Sequence, residues 1–224
     1  GDAELDEGNV FEALLEGWKH DVNNLWWVID YNRHSLDGTV NYKLFQKITS
    51  FFETVGWRVV NLKYGKLLQA AFKGPAGSAL QQWIDDCPNQ LYSALTFNAG
   101  AAWREHLTRD LSATDGFAEF ITGYDDDSLH ELMTNLGGHD LETLTEAFDA
   151  AENDPTPHCF IAYTIKGWGL PLAGHRDNHA GLLTPAQIND FRQHNDIIPG
   201  AEWDMTSGLG ENASLVEGFL QDVP

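Results

Sequence analysis

A carboxylate at Asp2 and an amide oxygen at Asn32 are the side chains of this sequence best placed to share one small cation. Asp2 sits in a polar turn, Gly1-Asp2-Ala3-Glu4, that leads into a helical pattern, and Asn32 follows an apolar run beyond it. In a right-handed β-α-β unit the carboxyl ends of neighbouring parallel strands open onto one edge of the sheet, where ligands bind. A strand implied before Asp2 and a strand before Asn32 would bring both residues to that edge. Mg²⁺ suits such ligands, because it takes few protein oxygens and completes an octahedron with water and phosphate oxygens. The helix starting near Gly8 adds free amide donors and a positive dipole end that favour an anionic diphosphate.

The elements that must position these residues are legible from periodicity. Val10, Phe11, Leu14, Leu15 and Trp18 recur at helical spacing and predict a helix over about 8 to 21. Leu25-Trp26-Trp27-Val28-Ile29 is a continuous apolar run, as a parallel strand covered on both faces requires, and its two tryptophans read as core. The polar segment from Asp30 to Asp37 ends that run. Phe45, Ile48, Phe52 and Val55 mark a second helix stopped by Gly56, and a strand follows over 57 to 62. This alternation predicts an α/β fold, a parallel sheet with helices on both faces. Residues from about 64 to 156 read as a helical insertion between strands, broken at Pro75, Pro88, Gly116 and Gly137-Gly138. Cys159-Phe160-Ile161-Ala162-Tyr163 is the last buried strand, opening into the loop Lys166-Gly167-Trp168-Gly169. Thr184-Pro185 starts a helix to about His194, and a final helix spans about 213 to 221. The expectation is one domain over 1–224, with a helical tail over about 184–224, cut from a longer chain.

The 34 acidic against 13 basic side chains give a formal charge of −21, which opposes binding to a phosphate backbone and makes nucleic acid an unsuitable partner. Cys87 and Cys159 show no metal-ligand spacing and fit a reducing cytoplasm. No apolar run reaches the roughly 18 residues of a membrane helix, so a cytoplasmic protein without membrane partners is expected.

Taken together, Gly1-Asp2-Ala3-Glu4-Leu5-Asp6-Glu7-Gly8, Ile29-Asp30-Tyr31-Asn32, Asn32-Arg33-His34-Ser35-Leu36-Asp37-Gly38, Gly137-Gly138-His139-Asp140 and Thr164-Ile165-Lys166-Gly167-Trp168-Gly169 resemble the thiamine-diphosphate-binding, transketolase N-terminal-like domain of the homodimeric pyruvate dehydrogenase E1 component, nearly end to end. The resemblance implies thiamine diphosphate and Mg²⁺ as cofactors. Asp2 and Asn32 would ligate the metal through side chains and His34 through its backbone carbonyl. Gly1, Ala3 and Glu4 complete the cofactor motif, Glu7 matches an acidic residue near the cofactor, and Lys166 matches a lysine facing diphosphate or substrate carboxylate. His179, with His175 as second choice, falls in the family's mobile, histidine-bearing segment and would move protons. Ala3 departs from the family's glycine; a methyl group there costs something if the position needs positive φ.

The implied activity is oxidative decarboxylation of a 2-oxoacid, pyruvate foremost, with acyl transfer to the lipoyl group of an acyltransferase (E2). The implied partner is a second subunit supplying a pyrimidine-binding domain, so the isolated chain is expected to bind weakly and not to decarboxylate. Two other functions fit parts of the pattern. One is transketolase-type two-carbon transfer between sugar phosphates, for which the loop offers Arg176 and little else. The other is a non-catalytic Mg²⁺- or nucleotide-binding module. Plainer roles also exist for single residues: a helix cap for Asp2, a helix stop and N-cap for Gly137-Gly138-His139-Asp140, loop positions for His175 and His179, a surface charge for Lys166, and a solvated helix start for Asp125-Asp126-Asp127.

Overall fold

The computed structural model describes residues 1–35, 38–39 and 44–223. Leu36 and Asp37 of the motif running from Asn32 to Gly38 lie outside the described residues. A 3-10 turn, Asp2–Asp6, runs into α1 (Gly8–Lys19), then β1 (Trp26–Tyr31) and a short hairpin of β2 (His34–Ser35) and β3 (Gly38–Thr39). α2 (Leu44–Thr54) crosses to β4 (Arg58–Leu62). Six helices follow before the next strand: α3 (Lys66–Ala71), α4 (Gly77–Asp86), α5 (Asn89–Leu111), α6 (Phe117–Thr122), α7 (Asp126–Thr134) and α8 (Leu141–Ala151). β5 (His158–Tyr163) then enters the sheet between the other two, giving the order β1-β5-β4, all parallel. The α/β architecture and the helical insertion between strands therefore stand as the sequence predicts.

β5 explains why a strand can be continuously apolar. Both its neighbours pair with it in register, and all six of its residues are buried. Cys159, Ile161 and Tyr163 point into the main core with Leu14 of α1 and Ile48 and Phe52 of α2. Phe160 points the other way, where Leu144, Ala147 and Phe148 of α8 cover it. Helices thus lie on both faces, as period-two alternation in a central strand demands.

β1 differs from its expectation. Ile29 and Tyr31 are buried, but Trp26 is 41% and Val28 51% exposed. Among the described residues the strand pairs with β5 alone, and Phe148 of α8 stacks on Trp26 at 5.5 Å. Trp26 is therefore a half-covered edge residue, while Trp27 packs on Phe52 and Trp57 at the core boundary.

The insertion is organised by close backbone approach. A Cβ at Gly100 of α5 would fall 1.7 Å from the carbonyl oxygen of Asp126, so α5 and α7 cross at a distance only glycine permits. Asp125 caps α7 by accepting from the Ser128 amide at 2.8 Å, and Arg104 of α5 binds Asp126 and the carbonyls of Ile121 and Tyr124. Pro88 precedes α5 and Gly116, at φ 77°, precedes α6, so the sequence breaks are helix starts.

The chain divides into two compact units: Gly1–Trp168 with Leu172–Ala180, and Gly169–Pro171 with the residues from Gly181 onward. The second unit holds α9 (Pro185–His194) and α10 (Ala213–Gln221). Thr184 and Gln187 form a reciprocal capping box with proline at the first turn of α9, which is why its start is legible to the residue. Among the described residues no helix is long and apolar enough to cross a membrane.

Candidate functional site

The C-terminal end of β1 meets the 3-10 turn at Asp2, and this junction gathers the polar residues. Asp2 is 2% exposed and its Oδ1 has no hydrogen-bond partner. Burial, and secondarily the charge of Asp30, push its carboxyl up to about 6, against the softening effect of the backbone amides of Asp2 itself and Arg33. A buried carboxylate beside a second carboxylate, with an unsatisfied oxygen, is an arrangement that a cation would complete.

Asn32 adjoins this point at the end of β1. Its Oδ1 accepts from the His34 amide at 3.0 Å and its Nδ2 reaches Asp30 Oδ2 at 3.4 Å, so Asn32 ties its own turn. Arg33 between them adopts φ 65°, a left-handed conformation that lets the chain reverse in so few residues. The turn places the Arg33 amide against Asp2. Thr164, just beyond β5, donates its hydroxyl to Asp30 and joins the two strand ends.

The His34 ring is 5% exposed, and its Nε2 sits 3.0 Å from Ser93 Oγ. Burial, then the charges of Lys166 and Arg33, hold it down at about 4, so it is neutral at physiological pH. Ser93 engages Nε2 alone; Nδ1 is buried and among the described residues has no hydrogen-bond partner. Lys166 shares a narrow polar crevice with Asn32, His34 and Ser93.

The remaining motif residues fall elsewhere. Gly1 borders the Asp30 carbonyl, but Glu4 is exposed, and Glu7 is an exposed helix N-cap without a side-chain cap bond. Ala3 lies inside the 3-10 turn and is not among the positive-φ residues, so its methyl group carries no conformational cost there. His175 accepts from the Asp177 amide at 3.1 Å and packs its ring 4.6 Å from Phe97; His179 is exposed. Among the described residues no hydrogen bond, ion pair or ring contact joins either histidine to Asp2 or Asn32. Both belong to a loop closed on Lys166, whose carbonyl accepts from the Gly174 amide at 3.1 Å and from Asn178 Nδ2 at 3.2 Å. Asn178 also binds the Leu172 carbonyl at 2.6 Å.

His139 belongs to the motif Gly137-Gly138-His139-Asp140, for which the sequence leaves a helix stop with an N-cap and a direct active-site role equally open. The glycines before it do not stop a helix by left-handed turning: a Cβ at 137 would lie 2.5 Å from the Leu62 carbonyl oxygen, and one at 138 lies 2.6 Å from that of Tyr163. They are there because a 3-10 turn must lie flat on the ends of β4 and β5. Asp140 does cap α8, accepting from the Thr143 amide at 2.8 Å. His139 Nε2 accepts from the Ile165 amide at 2.8 Å, and its ring stacks on Trp168 at 4.3 Å and 16°. It therefore pins both residues that flank Lys166 and Gly167. Burial holds its imidazole down at about 4.

His139→Phe keeps the stack and leaves the Ile165 amide without its acceptor, an expected loss of roughly 1–3 kcal/mol by denaturant titration at pH 7.5. His34 and His139 both have folded pKa values near 4, below the ordinary 6.5. The unfolded chain takes up these protons first, so their contribution is full above 6.5 and is lost as pH falls towards 4. The variant should show a shallower acid limb across that window. An unchanged limb would remove His139 as its source.

Among the described residues no group of three or more histidines, cysteines or acidic residues has a metal-binding arrangement. Any cation at Asp2 would therefore rely on amide and carbonyl oxygens as well.

No family model matches the chain. It is 30% identical over 201 residues to the pyruvate dehydrogenase E1 component of Cupriavidus necator, covering 88% of this chain and 22% of that protein. The protein of the same name in Escherichia coli (strain K12) is 28% identical over 199 residues, with 88% and 22% covered, and that of Mycobacterium tuberculosis 29% over 205 residues, with 88% and 21% covered. The chain thus spans about a fifth of the length of the curated relatives it matches. With an α/β parallel sheet whose strand ends gather the matching motifs, this chain is a pyruvate dehydrogenase E1-like domain.

Proposed function

We propose that the chain is the metal- and diphosphate-holding part of a thiamine-diphosphate- and Mg²⁺-dependent 2-oxoacid dehydrogenase E1 component. The observation that carries this reading is the Asp2 carboxylate: buried, next to Asp30, and with one oxygen lacking any hydrogen-bond partner. A hard cation relieves all three conditions at once. Asp2, the Asn32 amide oxygen and the His34 carbonyl are the oxygens that would hold it, and an all-oxygen donor set fits Mg²⁺.

When bound, thiamine diphosphate supplies the electron sink that lets a 2-oxoacid lose CO₂. This chain's residues have the simpler tasks of binding and orientation. The free amides at the start of α1 would face the diphosphate, and Lys166, close enough to depress His34, would add a positive charge for diphosphate or substrate carboxylate. His179 or His175, on the loop closed over the Lys166 carbonyl, would take and return protons. The names of the relatives favour pyruvate as the substrate, and in this proposal the acyl acceptor would be a lipoyl group of an E2 acyltransferase and the assembly a homodimer in the cytoplasm.

The test is a calorimetric titration of the intact protein with thiamine diphosphate at saturating Mg²⁺. Asp2→Ala and Asn32→Ala are each expected to weaken binding by about 100-fold or more, since removal of outer-sphere partners alone costs 10–100-fold in metal sites. Undiminished affinity in both variants, or preference for ADP over thiamine diphosphate, would overturn the reading.

A further inference from the structure

A separate cavity of about 530 Å³ opens beside the C-terminal ends of β1, β4 and β5. Tyr31, Lys63 and Tyr163 form its strand side, and the end of α4 with the segment after it, from Gln82 to Asn89, forms the opposite wall. Among the described residues, Asp2, Asn32, His34 and Lys166 contribute nothing to this wall.

The wall contains Arg33, which is only 8% exposed. Its guanidinium carbon lies 4.8 Å from the Tyr92 ring centre and 5.9 Å from that of Tyr163, both of which line the cavity. Nη2 donates to the Thr164 carbonyl at 3.2 Å, and Nε is buried without a hydrogen-bond partner. Among the described residues no carboxylate pairs with it. A guanidinium has five N–H donors in a fixed fork, and a buried cation without an anion is costly. The backbone that holds it is also strained, at φ 65°. Aromatic faces offset part of that cost through cation–π attraction but leave the fork's hydrogen-bonding edge unmet.

The opposite wall has complementary chemistry. Asp85 accepts from Lys63 and from the Tyr64 hydroxyl, and Gln82 donates to Asp86 at 2.6 Å. Carboxylates and an amide in a polar wall receive hydroxyl donors, whereas a buried guanidinium receives a carboxylate or phosphate in a paired, planar contact.

We propose that this cavity binds a small hydroxylated organic anion, its carboxylate or phosphate held by Arg33 and its hydroxyl groups by the wall at Gln82, Asp85 and Asp86. The site adjoins the metal junction through the Arg33 turn, but Asp2, Asn32, His34 and Lys166 are not part of its lining, so it does not require the cofactor reading to be right.

Thermal unfolding of the intact protein, free of thiamine diphosphate and Mg²⁺ and at fixed ionic strength, tests this with four probes. D-Gluconate represents the carboxylate, glucose 6-phosphate the phosphate, and glucose and chloride are the controls. At least one organic anion should raise the Tm saturably at millimolar concentration while glucose and chloride do not, and the lower half-saturation names the anionic group. Arg33→Gln should abolish the shift and Arg33→Lys should keep part of it. Should Arg33→Gln fail to fold, Gln82→Leu decides: half-saturation raised about tenfold, equivalent to 1.4 kcal/mol, supports the site, and an unchanged value overturns it. The shift should persist with thiamine diphosphate and Mg²⁺ present at saturation. Neither anion exceeding glucose and chloride, an Arg33→Gln response equal to the parent's, or loss of the shift under saturating cofactor would each overturn the proposal.

Discussion

Asp2→Asn should make the metal-free protein more stable and, if the proposed function holds, abolish the Mg²⁺ binding proposed for that site. The carboxyl of Asp2 rises from an ordinary 3.8 to about 6 on folding, with burial the largest cause and the Asp30 charge adding to it. A group that binds its proton more tightly when folded contributes its full stability at low pH. That contribution is lost as pH rises through the window from about 4 to about 6. Two units correspond to about 3 kcal/mol of destabilisation at pH 7.5, carried by an ionised group 2% exposed. Asparagine removes the charge and keeps the shape, so a gain of about 2 kcal/mol is expected after allowing for weaker contacts with the backbone amides. The same proton must leave before a metal can bind, so parent Mg²⁺ affinity should fall about tenfold per pH unit below 6 and level off above it. Chemical denaturation with and without Mg²⁺, at pH 5 and 7.5, reads all of this. A destabilised Asp2→Asn would mean that the carboxylate holds the turn together and is not waiting for a cation.

Gly138→Ala should be the most damaging conservative substitution at the sheet edge. The new methyl would lie 2.6 Å from the Tyr163 carbonyl oxygen, 2.6 Å from Thr164 Cγ2 and 3.1 Å from the Ala162 carbonyl carbon. Threonine can turn aside, but the carbonyl belongs to β5, which is buried throughout and held in register on both sides. Overpacking against such a backbone costs about 3 kcal/mol, and at this size that corresponds to a Tm lower by roughly 6–12 °C. His139 would be lifted from the Ile165 amide as well. Gly17→Ala in α1, where nothing lies within 4 Å, is the control. Its expected effect is a gain of about 0.5–1 kcal/mol. Equal thermal stability of Gly138→Ala and the parent would show that the turn can move away from the strand.

These two residues also mark what the sequence could and could not say. β5, α9 and the helical insertion were legible because periodicity, capping residues and apolar runs act locally. Whether an apolar run lies in the middle of a sheet or at its edge depends on strands distant in sequence. Leu25 to Ile29 therefore looked like a strand covered on both faces, although Trp26 and Val28 lie open. Topology led to the expectation that Asp2 and Asn32 share one sheet edge, but it gave no sign of Thr164 and Asp30, which join the strand ends from 134 residues apart. Arg33 was invisible as a turn residue because a left-handed φ is signalled by glycine or asparagine and rarely by arginine. Gly137 and Gly138 were noticed as breaks, but their reason is the flat approach of one backbone to another, which no local pattern records.

The loop from Lys166 to His179 is fastened by its own amide contacts: Gly174 and Asn178 both reach the Lys166 carbonyl, and Asn178 clasps that of Leu172 as well. Such a loop has already surrendered its freedom before any ligand arrives. A visiting molecule then meets a preorganised surface and need not spend its attraction on taming a wandering chain. Cutting the clasp at Asn178 would hand that entropic burden back to the ligand.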